Sequence, residues 1–181
     1  MSEGAEQVCA DKLQVAIDAL ASALAANDPM LRQNVRWALV NVGEDALEAL
    51  VRTLEHESAN ARWEAAKALG EIGSAEGASA LVAALDDKVF DVRWVAGDSL
   101  IALGRPALAP LLEALIDKPT SARLREGAHH VLRVLGETGL GDLVAPVLSA
   151  LGGSKGAPDI VPAATEALDA LPDEQEEPAG L

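Results

Sequence analysis

Few residues in this chain of 181 have the type and spacing to do chemistry directly. Glu126 and His130 stand four apart, which would set a carboxylate and an imidazole on one helix face at metal-ligand spacing. One such pair is not a site. His56-Glu57 is another acid–imidazole pair, but it falls in an expected turn. Cys9 is the only cysteine, and on the first expected helix it reads as a packing residue rather than a nucleophile. No glycine-rich phosphate loop and no Ser, Cys or Thr nucleophile motif is visible. The expectation is a non-enzymatic protein with no catalytic residue, no cofactor site and no metal site. Recognition chemistry is better represented. The chain has three tryptophans, one phenylalanine and no tyrosine, and indole combines a large apolar body with a polar tip. Trp37, Trp63 and Trp94 are therefore the candidate anchors of a partner-binding face, with Arg36, Lys67, Asp98, His130 and Arg133 as the polar groups around them.

The positions of these residues are set by a repeat. Arg32–Gly43, Arg62–Gly73, Arg93–Gly104 and Arg125–Gly136 share one frame, an Arg followed by a Leu seven residues on and a Gly eleven residues on. The glycines lie 30, 31 and 32 residues apart. Self-similarity at that period marks a solenoid, whose units bury their apolar faces only by stacking on neighbours. Ala, Leu and Val dominate the apolar half of the composition, which favours helices that pack closely. No alternating apolar–polar run is bounded by hairpin turns, so no sheet is expected.

Along the chain, the apolar spacing predicts a first helix from Glu6 to Ala26, after a frayed start, and a second from Pro29 to about Val42. Asp28 caps the second helix, Pro29 suits its first position and Gly43 permits a left-handed cap. Short and long helices then alternate: 44–55, Ser58 capping a helix to Ile72, 76–85, a turn over 87–91, a helix to Leu103, and a short helix opened by Pro106. Leu124–Leu135, Gly141–Leu151 and Ile160–Leu171 complete the set, with a looser turn over 152–158. The expected fold is all-α, a right-handed α-solenoid (alpha-alpha superhelix) of about five helix pairs in one domain, 1–172. Its units are about 6–43, 44–73, 74–104, 105–136 and 137–172, followed by a disordered acidic tail, 173–181. The last unit departs from the frame, with Val161 for the Arg and Pro172 for the Gly, as terminal repeats do.

On a helical wheel, Val35, Leu39 and Val42 and their equivalents Ala65, Leu69 and Ile72; Ala96, Leu100 and Leu103; and Ala128, Leu132 and Leu135 form the buried stripe. The opposite stripe runs through Gln33, Trp37, Val40 and Asn41, then Trp63, Lys67, Gly70 and Glu71. In later repeats it holds Trp94, Asp98, Ile101 and Ala102, then Glu126, His130, Arg133 and Val134. All three tryptophans lie on it. Lys67 and Asp98 share a register position in adjacent units and are placed to pair with each other.

Charge excludes some functions. The net charge of −15 argues against nucleic acid, because phosphate binding needs clustered Lys and Arg. Removing the four acids of the tail still leaves 25 acids against 14 bases. A lone cysteine fits a reducing cytoplasm, the N-terminus is not a signal peptide, and no apolar run approaches the ~18 residues of a membrane span.

The helix A61-R62-W63-E64-A65-A66-K67-A68-L69-G70-E71-I72-G73 and its counterpart V92-R93-W94-V95-A96-G97-D98-S99-L100-I101-A102-L103-G104 resemble the HEAT-repeat superfamily in its short phycobilisome-lyase-like form. The resemblance covers nearly the whole chain. It implies that the Arg-to-Gly helices line the concave side, and that Arg32, Arg62, Arg93 and Arg125 pair with acids or carbonyls in the turns. Deoxyhypusine hydroxylase, a similar repeat protein, carries His-Glu pairs just after the repeat Arg to hold iron. Here those slots read Gln33-Asn34, Trp63-Glu64, Trp94-Val95 and Glu126-Gly127, so the iron site is absent. The acidity also speaks against the resemblance of Trp63, Trp94 and Asp98 to HEAT-like DNA glycosylases. The reading is a cytoplasmic scaffold or adaptor that binds a protein partner on the concave face, with neither nucleic acid nor membrane as partner. The alternative is a lyase-like protein holding a small conjugated ligand of the bilin type in the same groove.

Overall fold

The computed structural model describes residues 3–152 and 159–171. The acidic tail 173–181 and, apart from Gly152, the turn expected over 152–158 lie outside the described residues. The described residues form α-helices and short helical turns with no strand. The helices are α1 (Glu3–Ala23), α2 (Pro29–Val42), α3 (Leu47–Thr53), α4 (Ala59–Ile72), α5 (Ala78–Ala84), α6 (Phe90–Leu103), α7 (Leu108–Asp117), α8 (Ala122–Leu135), α9 (Gly141–Gly152) and α10 (Ile160–Asp169). Three 3-10 turns, Gly43–Ala46, Ala75–Gly77 and Arg105–Ala107, lead into α3, α5 and α7, so the short helices open tighter than the apolar spacing alone suggests. The first helix starts at Glu3 and ends at Ala23, three residues earlier at each end than the spacing predicts.

The long helices α2, α4, α6 and α8 stack in sequence as one layer, and α1, α3, α5 and α7 form the other. The expected buried stripe holds at its centre, where Leu39, Leu69, Leu100 and Leu132 are completely buried in one core with the leucines of the short helices; Val42, Ile72 and Leu103, at the helix ends, are only half-buried. The α4–α6 approach is especially close. Ser99 Oγ donates to Ala66 O at 3.0 Å, and a Cβ on Gly70 would lie 2.4 Å from that same Oγ. The contact therefore leaves no room for a Cβ and requires glycine at position 70.

Local chemistry fixes the turns. Asp28 Oδ1 accepts from Met30 N at 2.9 Å and Leu31 N at 3.4 Å, capping α2 as expected. Ser58 stands at the cap of α4 but makes no side-chain cap bond; instead its amide donates to His56 Nδ1 at 3.0 Å. Gly43, Gly73 and Gly104 have φ of 75°, 75° and 71°, which ends α2, α4 and α6 where the frame puts its glycines. Gly136 does not: it stays helical at φ −59°, and the chain reverses at Gly139, φ 96°. That break divides the apolar stretch Ala122–Gly152 into two helices of 14 and 12 residues, each shorter than the ~20 a membrane crossing needs.

The repeat arginines clamp the turns. Arg32 donates from NH1 to Ala26 O (2.8 Å) and Asn27 O (3.2 Å), and Arg62 does the same to His56 O (2.8 Å) and Glu57 O (2.9 Å). Arg93 NH1 donates to Asp87 O at 3.0 Å. Arg62 also reaches forward to the next turn, where Nε and NH2 grip the Asp87 carboxylate at 2.7 and 3.0 Å. Burial alone would raise the Asp87 carboxyl. The Arg62 hydrogen bond, the Val89 amide and the charges of Arg62 and Lys88 outweigh it and hold the group below its ordinary value. Arg125 breaks the series, since it bonds to no turn carbonyl among the described residues; its buried Nε, like that of Arg32, has no hydrogen-bond partner among them.

The last helices exchange layers. Val144 of α9 packs on Gly136, so α9 lies beside α8, and α10 crosses to pack on α7. Ile160, Ala164 and Ala167 are the buried residues of α10. Without the frame's Arg and Gly, α10 closes the far end of the array rather than continuing the long-helix row. At the other end, Val8 and Leu13 of α1 are exposed, and among its described side chains the first buried one is Ile17.

Candidate functional site

The face opposite the buried stripe is most developed between α6 and α8. Trp94, 52% exposed, stacks on His130 with ring centroids 5.2 Å apart and an interplanar angle of 22°. On its own helix it also stacks on Phe90, at 6.2 Å and 29°. Phe90 is itself 56% exposed, and the Arg93 guanidinium lies 5.4 Å from its ring centre. Such stacks are worth about 0.5–1.5 kcal/mol each when well packed. They join two helices through side chains that remain open to solvent. Together with Gly97, Arg123, Glu126 and Gly127 these residues line an open cavity of about 190 Å³.

The sequence places Phe90 in the expected 87–91 turn. In the structure α6 begins at Phe90, so Phe90 and Trp94 sit at i and i+4 on one helix face. Phe90 lies ahead of the Arg-to-Gly frame, so the repeat does not mark it, although its spacing from Trp94 does.

Trp63 holds the register position of Trp94 one repeat earlier, and it is half-buried against the core. It lines a neighbouring cavity of about 280 Å³ between α4 and α6, with Arg32, Asn60, Glu64, Val89 and Asp91 among its walls. Trp37 is 50% exposed on α2, at the register position that Lys67, Asp98 and His130 hold in later repeats, and has no ring partner among the described residues. Two tryptophans thus border adjacent inter-helix grooves, and the third stands apart.

The polar residues divide differently. Arg36, expected beside the anchors on the exposed face, is only 7% exposed. Its Nε meets Glu64 Oε2 at 2.9 Å and its NH1 bonds Glu71 Oε2, while Arg32 Nε lies 3.6 Å from the other Glu64 oxygen. Position 36 is one residue before Trp37, which turns it toward α4, where the buried Glu64 holds it; Arg36 is an internal tie between α2 and α4. Lys67 and Asp98 form no ion pair with each other, although Asp98 is exposed and Lys67 half-buried. Arg133 pairs with Glu137 at 3.3 Å on the surface. Of the expected polar residues, His130 is the one that stacks on a tryptophan ring. No group of three or more potential metal ligands occurs among the described residues, and the Glu126–His130 pair stands alone.

The family model for HEAT repeats matches residues 17–101 and 47–133, which together span most of the chain. The protein therefore belongs to the HEAT-repeat family. Among solved structures, the complex of CpcE and CpcF of phycocyanin lyase from Nostoc sp. PCC7120 is similar at 26% identity and TM-score 0.47, covering 82% of this chain and 62% of that one. An engineered protein is similar at 17% identity and TM-score 0.41, covering 83% and 77%. The chain thus spans less than two thirds of the length of the lyase-complex chain it resembles. No curated protein matches it.

Proposed function

We propose that this HEAT-repeat protein is a scaffold that binds a segment of a partner protein across its long-helix row, anchored in the α6–α8 groove. The observation that carries the reading is the exposed Phe90–Trp94–His130 stack beside an open cavity. A monomer gains little by leaving two large aromatic rings half-exposed side by side, whereas clustered aromatics are the usual anchors of an interface. Trp63 supplies a second groove next to the first, and Trp37 extends the face by a further repeat. Lys67 and Asp98 give it polar edges. The lone cysteine fits a reducing compartment such as the cytoplasm.

A small conjugated ligand is served less well. The α6–α8 cavity, at about 190 Å³, is below the ~300–1,000 Å³ of ordinary small-molecule sites. It is the size of a side-chain pocket. The test is a random peptide library selected on the immobilised protein and, in parallel, on a Phe90→Ala/Trp94→Ala variant. The reading expects a sequence motif to emerge from the parent and not from the variant. The same motif from both, or none from the parent, would remove the groove from consideration.

A further inference from the structure

Resting on the reading of the α6–α8 groove as a recognition site, we propose that it takes one aromatic or aliphatic side chain of a partner segment whose adjacent residue is Asp or Glu, the carboxylate being held by Arg93 and Arg123. The volume argues for one side chain, and Phe90, Trp94 and His130 give it apolar walls. Gly97 and Gly127 line it from the two helices, where a Cβ would meet the core side chain of Leu85 at 3.8 and 2.9 Å, so both helix backbones close on that leucine beneath the pocket. Such a pocket selects by shape and apolar contact, and the charges at its rim then decide what stands next to the inserted group.

Those charges are unusual for this protein. Against a net charge of −15, the cavity is lined by two arginines and a single acid, Glu126. Arg123 is exposed and takes part in no ion pair among the described residues, and Arg93, whose guanidinium lies over the Phe90 ring, makes one side-chain hydrogen bond among them, from NH1 to the Asp87 carbonyl. The neighbouring α4–α6 cavity has the opposite balance. Its one cation, Arg32, is committed to two turn carbonyls and to Glu64, and Asp91 forms no ion pair among the described residues. The sign of the rim therefore changes from one groove to the next, so a partner carboxylate is complementary at the α6–α8 groove and not at its neighbour. At this range the local arginines outweigh the distant acids, which are screened beyond ~8 Å at physiological salt.

Fluorescently labelled peptides with a central Phe flanked by Glu, by Gln or by Lys, and a Glu-flanked peptide with Ala for Phe, test the assignment by anisotropy titration. With the full chain, the Glu–Phe peptide should bind roughly fivefold more tightly than the Gln–Phe peptide, as expected for an exposed charge contact near 1 kcal/mol. Arg123→Gln should erase that preference and Arg123→Glu should shift it to the Lys peptide. Trp94→Ala and the Phe-to-Ala peptide should lose binding. If the Gln and Lys peptides match the Glu peptide and all still require Trp94, the groove stands and the acidic specificity is wrong. If none binds, or binding ignores Trp94, the groove reading fails with it. A peptide of residues 173–181 that binds as well as the Glu–Phe peptide would also overturn the assignment, giving the pocket to this chain's own acidic segment.

Discussion

Replacing Arg36 by Met removes one guanidinium from the α2–α4 junction and leaves the Glu64 carboxylate, in a residue only 6% exposed, with Arg32 Nε at 3.6 Å as its remaining cation. Removing one member of a buried ion pair costs about 3–5 kcal/mol, because an uncompensated charge stays in a low-dielectric site. Arg32 offsets part of this, and Glu71, 30% exposed at its side chain, can turn to water, so the lower end of about 3 kcal/mol applies. In a chain of this size that corresponds to a fall of roughly 6–12 °C in Tm. Urea unfolding with an unchanged m-value is the direct assay. The companion Arg36→Met/Glu64→Leu removes both charges and should recover most of the loss, since a well-packed apolar pair replaces a buried ion pair at little cost. A single variant within about 1 kcal/mol of the parent, or a double variant no better than the single, would refute the reasoning. It would mean that water reaches Glu64, and it would return Arg36 to the list of surface residues available to a partner.

Gly70→Ala should destabilise by about 1–3 kcal/mol, since its Cβ would fall 2.4 Å from Ser99 Oγ and the α4–α6 contact must open; thermal unfolding measures it. Asp87→Asn should cost stability near neutral pH and progressively less in acid. The native Asp87 pKa lies below its ordinary value of 3.8, so its stabilisation is complete above that value and is lost as pH falls through the lower native one. Parent and variant should converge in urea titrations at the acid end, and a gap independent of pH would contradict the assignment. Trp94→Ala should cost only about 1 kcal/mol because the ring is half-exposed, whereas Trp63→Ala, which empties a position packed on the core, should cost about 2 kcal/mol or more. Equal losses in thermal unfolding would undo the distinction drawn between the two tryptophans.

The repeat frame was legible because stacking imposes it on every unit: Leu39, Leu69, Leu100 and Leu132 occupy one register position and are all completely buried. The glycine endings followed the same logic until Gly136. There an alternative αL position three residues on, Gly139, carries the reversal, and no single-residue rule distinguishes the two glycines. The exchange of layers by α9 and α10 was hidden for a related reason. It depends on which neighbour each apolar face meets, and Ile160, Ala164 and Ala167 would look the same in either layer. At the site, the wheel placed Trp94 and His130 on one face, and the structure brings their rings together. It missed Phe90, which belongs to the helix but not to the repeat. Arg36, expected among the polar groups around the tryptophans, is buried by a partner, Glu64, that is 28 residues away in sequence and not visible from its own helix.

The most direct test uses the three indole N–H signals of the labelled protein, assigned by single Trp→Phe variants and followed by NMR during titration with a peptide selected on the parent. Recognition in the α6–α8 groove predicts that the Trp94 indole moves most, Trp63 less, and Trp37 least. A Trp94 signal that stays in place while the peptide saturates another surface would contradict it.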